Sequence, residues 1–227
     1  HVLARTVVMA TGARWRRLHA DGVERFTGAG VYHAAMPSDG QRYAGEDVVV
    51  VGGGNSAGQA AVHLGARARS VRMVVRGEGL ARTMSRYLVD RIERSPRIEL
   101  MTETEVVAVH GEETIDAVTL RDRRDGSERR VRAVAVFVMI GADPCTDAAR
   151  GVLDVDEAGY LLCGQGAADC AGHLRWPLRD RRPHMLETVR PGVFAAGDVR
   201  SGASKRVAAA VGDGALSVRF VHDVLMG

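Results

Sequence analysis

A chain of 227 residues has room for one large domain or two of ordinary size, and with 46% apolar residues it can build a real core. No window approaches the roughly 18 apolar residues a membrane span needs, and no signal-peptide pattern is present, so a cytoplasmic protein with no membrane partner is expected. The net charge is +3, yet Lys205 is the sole lysine and the arginines alternate with acids, as in Arg121-Asp-Arg-Arg-Asp125; that is a solvated surface, and no nucleic-acid partner is expected.

The first expected element is Thr6-Val-Val-Met-Ala10, a buried strand closed by Thr11-Gly12. Residues 13–45 are polar, contain glycine and are too irregular to assign. Residues 48–51 read as a short buried strand, 56–67 as a helix of small residues with Val62 and Leu64 facing inward, and 71–75 as the next strand. Strand, glycine turn, helix and strand make a βαβ unit, which implies a parallel sheet. Met84, Leu88 and Ile92 recur every four residues, so 81–93 is an expected amphipathic helix, ended by Pro96.

Residues 98–101 are an expected strand. Short alternating runs then fill 105–132, turning at Gly111-Glu-Glu and Arg124-Asp-Gly-Ser127, which predicts a small antiparallel meander. Residues 134–140 return to a buried strand ending at Gly141. Beyond Pro144 the composition loosens: 161–182 is expected to be rich in loops, 193–197 a strand, and 212–225 a helix with Leu216, Phe220 and Val224 on one stripe.

The chemistry begins at Gly52-Gly53-Gly54-Asn55-Ser56-Ala57, which fits the dinucleotide pattern G-x-G-x-x-A. Gly52 permits the tight turn, Gly54 has no Cβ to hold off a pyrophosphate, and Ala57 is small enough for the helix to pack on the strand. The helix start presents free N–H groups and a partial positive charge to the anion. Where an NAD site places an acid after the second strand, this chain has Arg76, 22 positions past Gly54. An arginine there suits a 2′-phosphate, so NADPH is favoured over NADH.

Other reactive residues form no pattern. Cys145, Cys163 and Cys170 contain no C-x-x-C pair, and His33, His63, His110, His173 and His184 share no metal-ligand spacing, so no metal site is expected. Trp15 and Trp176 read as packing or exposed residues.

Three motifs in order carry a family resemblance. Val7-Val-Met-Ala-Thr-Gly-Ala13, with Thr11 and Gly12, resembles the strand and turn that close the first part of a flavoprotein FAD domain. The glycine turn and Phe137-Val-Met-Ile140-Gly141 resemble the first and last strands of its inserted NADPH domain. Pro191-Gly-Val-Phe-Ala-Ala-Gly197-Asp198-Val199 resembles the second FAD motif, whose aspartate contacts the ribityl–phosphate region. Together they resemble the two-dinucleotide-domain flavoproteins, most closely the thioredoxin reductases. In that family the segment matching Lys205-Arg206-Val207-Ala208 and running to Gly214 lies along the isoalloxazine ring.

The resemblance implies an α/β, Rossmann-like flavoprotein with a central parallel sheet, a small antiparallel meander and an incomplete FAD domain. The implied divisions are 1–40, the end of a first FAD segment and its crossover; 41–143, an NAD(P)H-binding domain; and 144–227, a second FAD segment. FAD and NADPH are the implied cofactors, and a homodimer the implied assembly. The family's first G-x-G-x-x-G strand would precede residue 1, so a fragment of a longer flavoprotein, or a flavoprotein that needs another segment, is expected.

One departure bears on function. Aligning Asp39-Gly40 on the family's Asp-Gly puts Ala35-Met-Pro-Ser38 at the redox dithiol, and neither sulfur is present. The expected function is therefore an NADPH-dependent flavin oxidoreductase whose acceptor, protein or small molecule, is unidentified. A ferredoxin–NADP reductase-like enzyme and a non-catalytic NADPH-binding module are the alternatives. Hydride transfer needs no general acid or base from the protein, so the catalytic side chains stay unassigned.

Overall fold

The computed structural model describes residues 3–169, 176–178 and 180–226. Its elements begin with β1 (Val7–Met9), β2 (Ala13–Trp15), α1 (Val23–Phe26), β3 (Val31–Tyr32), α2 (Asp39–Arg42) and β4 (Asp47–Val51). There follow α3 (Asn55–Gly65), β5 (Ser70–Val74), α4 (Arg86–Glu93), β6 (Ile98–Met101), β7 (Thr104–Gly111), β8 (Ile115–Asp122) and β9 (Glu128–Arg132). The chain ends with β10 (Ala135–Val138), β11 (Ala142–Pro144), α5 (Gln165–Asp169), β12 (Val193–Ala195) and α6 (Val207–Met226). Two compact units form: Arg16–Gly141, and His1–Trp15 with Ala142–Gly227.

The unit Arg16–Gly141 is built on a five-stranded sheet in the order β3-β10-β4-β5-β6, with every neighbour parallel. Parallel sheets are covered on both faces, and the strands show it, since all of β4 and β10 is buried. Period two then sorts the side chains. Val48, Val50, Val71, Met73 and Phe137 pack with Leu64 of α3 and with Leu88 and Ile92 of α4. Val49, Val51, Val74, Val136 and Val138 pack on the other face with Val106, Val118 and Leu120 of the antiparallel meander β7-β8-β9. Residues 16–40 belong to this unit: Val23 and Phe26 of α1 join the second core, and β3 pairs with β10.

In the other unit β1 pairs in parallel with β12, and β2 pairs antiparallel with β11. β1 departs from expectation, for Val7 and Val8 are 43% and 42% exposed. A two-stranded sheet with one small cluster behind it, Leu153, Leu161 and Val199 among its members, leaves that strand uncovered.

Two helices differ in extent from the sequence expectation. α6 begins at Val207, because Ala208–Ala210 favour helix strongly enough to carry Gly212 and Gly214 inside it. α4 begins only at Arg86, because Thr83 and Ser85 are hydrogen-bonded to Gly53 and Asn55. The loop-rich expectation for 161–182 falls partly outside the described residues, as do Cys170 and His173.

Candidate functional site

At the carboxyl edge of the five-stranded sheet, the end of β4 meets the end of β10. The Met139 N–H donates to Val51 O at 2.7 Å and the Gly52 N–H to Val74 O at 3.0 Å. Gly52 lies at φ 137°, and a Cβ there would stand 2.3 Å from the Met139 carbonyl oxygen and 3.3 Å from Ala57 Cβ. Only glycine fits that approach. Ala57 is fully buried beneath the turn, so a larger side chain would lift α3 off the strand. Ile140 and Gly141 follow at the same edge, where Gly141 O accepts from the Arg16 N–H at 3.0 Å.

Gly54 precedes α3 in extended backbone, and no side chain caps the helix start. A Cβ on Gly54 would find only Thr83 O, at 3.9 Å, so the space over the turn is open. Uncapped first-turn amides facing open space are an anion site by geometry and by dipole. The residues present therefore fit a pyrophosphate. Two side-chain hydrogen bonds tie the turn to residues 83–85: Thr83 Oγ1 donates to Gly53 O at 2.8 Å, and Asn55 Oδ1 accepts the Ser85 N–H at 2.8 Å. These bonds draw residues 83–85 out of the expected helix. They link residues 30 apart and leave no local pattern to read.

Arg76 follows β5 at the same edge. Its guanidinium is exposed and has no acidic partner among the described residues, although most arginines of the meander are paired. A free guanidinium beside an anion cradle can take a second anion.

In the other unit, β1 and β12 bring Thr11-Gly12 and Gly197-Asp198 to the same sheet end, since Met9 is in register with Ala195. Gly197 lies at φ 73°, and a Cβ there would stand 3.3 Å from Ala210 Cβ of α6. Asp213 of α6 accepts the Gly197 N–H at 3.1 Å and pairs with Arg200 at 3.0 Å. Asp198, half-buried beside this contact, has no hydrogen-bond partner among the described residues. Lys205 lies at φ 49° with its Nζ 4.2 Å from the centre of the Tyr160 ring, and Arg206, Val207 and Ala208 are exposed where α6 starts. The proposed site residues thus form two groups, one in each unit.

The remaining reactive groups have structural partners or none. Cys163 is pushed up to about 11 by burial, against the opposing pull of Arg200, so at neutral pH it is a thiol and not a nucleophile. Residues 35–38 form a turn held by Asp39, which accepts the Met36 N–H at 2.7 Å. His63 Nε2 lies 3.2 Å from Pro37 O. His33 Nδ1 is buried without a partner among the described residues, and burial lowers its pKa. His184 stacks on Phe220 at 4.7 Å. Glu187 is fully buried; burial alone would raise its pKa, but two hydrogen bonds from Arg181 and the N–H groups of Gly192 and His184 hold it below the ordinary value. Among the described residues no cluster suits a metal ion, and no helix is long and apolar enough to cross a membrane.

Comparison with known proteins gives a consistent result. The family described as pyridine nucleotide-disulphide oxidoreductase matches residues 1–214. The chain is 33% identical over 211 residues to thioredoxin reductase of Streptomyces clavuligerus, covering 93% of this chain and 59% of that protein. It is 34% identical to the Mycolicibacterium smegmatis enzyme of the same name, covering 93% and 61%. The thioredoxin reductase structure from Giardia duodenalis superposes with a TM-score of 0.78 at 29% identity, covering 98% of this chain and 66% of that one. The chain thus spans 59% and 61% of the two curated relatives.

Proposed function

The chain belongs to the pyridine nucleotide-disulphide oxidoreductase family, and from that premise we propose that it forms the nicotinamide-nucleotide domain and part of the flavin domain of an NADPH-dependent oxidoreductase. When bound, NADPH supplies a hydride to FAD, which passes the electrons to an acceptor, protein or small molecule. The observation that carries this reading is the glycine turn, an uncapped helix start open to solvent beneath which Gly52 admits no side chain.

Each residue has a physical task in this reading. Gly52 lets the turn pass against the Met139 carbonyl, Gly54 keeps a Cβ away from a pyrophosphate, and the first-turn amides of α3, at Asn55, Ser56 and Ala57, donate to it. Gly53 is fixed by Thr83 through its carbonyl. Arg76 pairs with a 2′-phosphate as a planar fork, which favours NADPH over NADH. Ile140 and Gly141 lie at the same edge of the sheet. In the other unit, Asp198, Thr11, Gly12, Gly197 and the start of α6 at Arg206, Val207 and Ala208 face the flavin chain. The protein binds, orients and excludes water, and no side chain needs to move a proton.

With Ala35 and Ser38 at the positions of the family's dithiol, electrons leave by a route other than thiol–disulfide exchange there. That same pair favours a ferredoxin-type acceptor as a second reading, and rapid mixing of the reduced protein with ferredoxin separates the two. The primary test is anaerobic addition of NADPH to the FAD-loaded protein. Bleaching of the visible flavin absorbance is expected, and a flavin that stays oxidised defeats the proposal.

A further inference from the structure

We propose that Arg123, in the tight turn between β8 and β9, is a positioning residue of the 2′-phosphate site, acting by fixing the peptide of Arg76. The inference rests on the reading of Arg76 given above and extends the site to the antiparallel meander, 47 residues away in sequence.

Three consecutive carbonyls after β5 are taken by residues outside the parallel sheet. Val75 O accepts the Thr104 N–H at 3.0 Å, Arg76 O accepts Arg123 Nη1 at 2.9 Å, and Gly77 O accepts the Glu103 N–H at 3.0 Å. Arg123 is itself braced, since its N–H donates to Glu103 O at 2.7 Å. Glu103 lies at φ 48°, a left-handed conformation that costs a non-glycine residue energy. The strained residue therefore holds both Gly77 and Arg123. Glu105 Oε2 lies 3.9 Å from Arg123 Nε and is the acid that faces this guanidinium.

The sequence around Arg76 makes such bracing useful. Gly77 and Gly79 follow it, and glycines give a loop the most backbone freedom to lose on binding. A guanidinium on a loose loop loses that freedom when it captures a phosphate. One whose carbonyl is already held loses less, and affinity gained by preorganisation appears as tighter binding with no new contact to the ligand. Arg123 spends a donor on the Arg76 carbonyl while the Arg76 guanidinium stays exposed, the division expected of a brace and its reader.

The test uses the 227-residue chain and reads binding by fluorescence titration with NADPH and with NADH, which differ only in the 2′-phosphate. The wild-type chain is expected to prefer NADPH. R123M is expected to keep its NADH affinity and to lose roughly three- to tenfold of the NADPH preference. R76M is expected to abolish the preference, and R76M/R123M to match R76M, because Arg123 acts through Arg76. A fully selective R123M overturns the inference alone, as does a double variant whose losses add. A wild-type chain that binds neither nucleotide, or both equally, overturns the Arg76 reading and the inference with it. Unchanged NADH affinity in R123M shows that the fold survives.

Discussion

At the scale of single residues, the site rests on positions where one atom decides the outcome. Gly52→Ala would drive a Cβ to 2.3 Å from the Met139 carbonyl at a φ of 137°, so neither backbone can stay where it is. A loss of about 2–4 kcal/mol in urea unfolding is expected, together with loss of NADPH binding. An alanine variant of wild-type stability would show that the turn is looser than its geometry.

Asp47, at the start of β4, gives a pH test. Arg69 donates to it from Nε at 2.9 Å and again from Nη2, and Ser70 Oγ donates at 2.7 Å. The Arg69 hydrogen bond leads in holding its carboxyl down from 3.8 to about 2, against the opposing effect of burial. The folded-state pKa is lowered, so the stabilisation is present above the ordinary value and disappears as pH falls through about 4 toward about 2. Asp47→Asn is expected to cost about 2 kcal/mol at neutral pH. The gap from wild type should close in acid, and a gap of equal size at both pH values would count against the pairing.

At the scale of elements, the segment between β5 and α4 shows what a periodic pattern cannot report. Met84, Leu88 and Ile92 are all buried, as their four-residue spacing implies, yet Met84 reaches the core from a turn ahead of the helix. Thr83 and Ser85 bond to the glycine turn and hold that turn out of the helix. Thr83→Val removes one of these bonds at nearly constant volume. It is expected to cost about 1 kcal/mol and to speed amide exchange at the glycine turn. Exchange rates that do not change would mean the turn holds itself. The meander was easier to read, because the Asp-Gly at 125–126 marks the β8–β9 turn and Gly126 adopts φ 75° there.

At the scale of the whole molecule, the unit Arg16–Gly141 is one continuous stretch with a sheet covered on both faces, whereas the other unit is assembled from the two ends of the chain. Residues 16–141 produced alone are expected to unfold cooperatively. NADPH at about a hundred times its dissociation constant should add roughly 2.7 kcal/mol to their stability. A broad, non-cooperative melt would mean that this stretch depends on the remaining residues.

Sequence alone determined the βαβ unit, the meander and the glycine turn, because each is written in neighbouring residues: period two, an Asp-Gly turn, and glycines where a strand meets a helix. The same local logic singled out Arg76, one position beyond a strand end. Only the tertiary structure decided what holds that arginine and that turn. Thr83, Glu103 and Arg123 act across 26 to 47 residues through single hydrogen bonds, and such bonds have no period to detect. Burial was likewise decided by what lies alongside, since Val7 and Val8 read as core yet stand exposed on a strand paired along one edge. A chain encodes its local geometry residue by residue, but the partners that make it a site are chosen by folding.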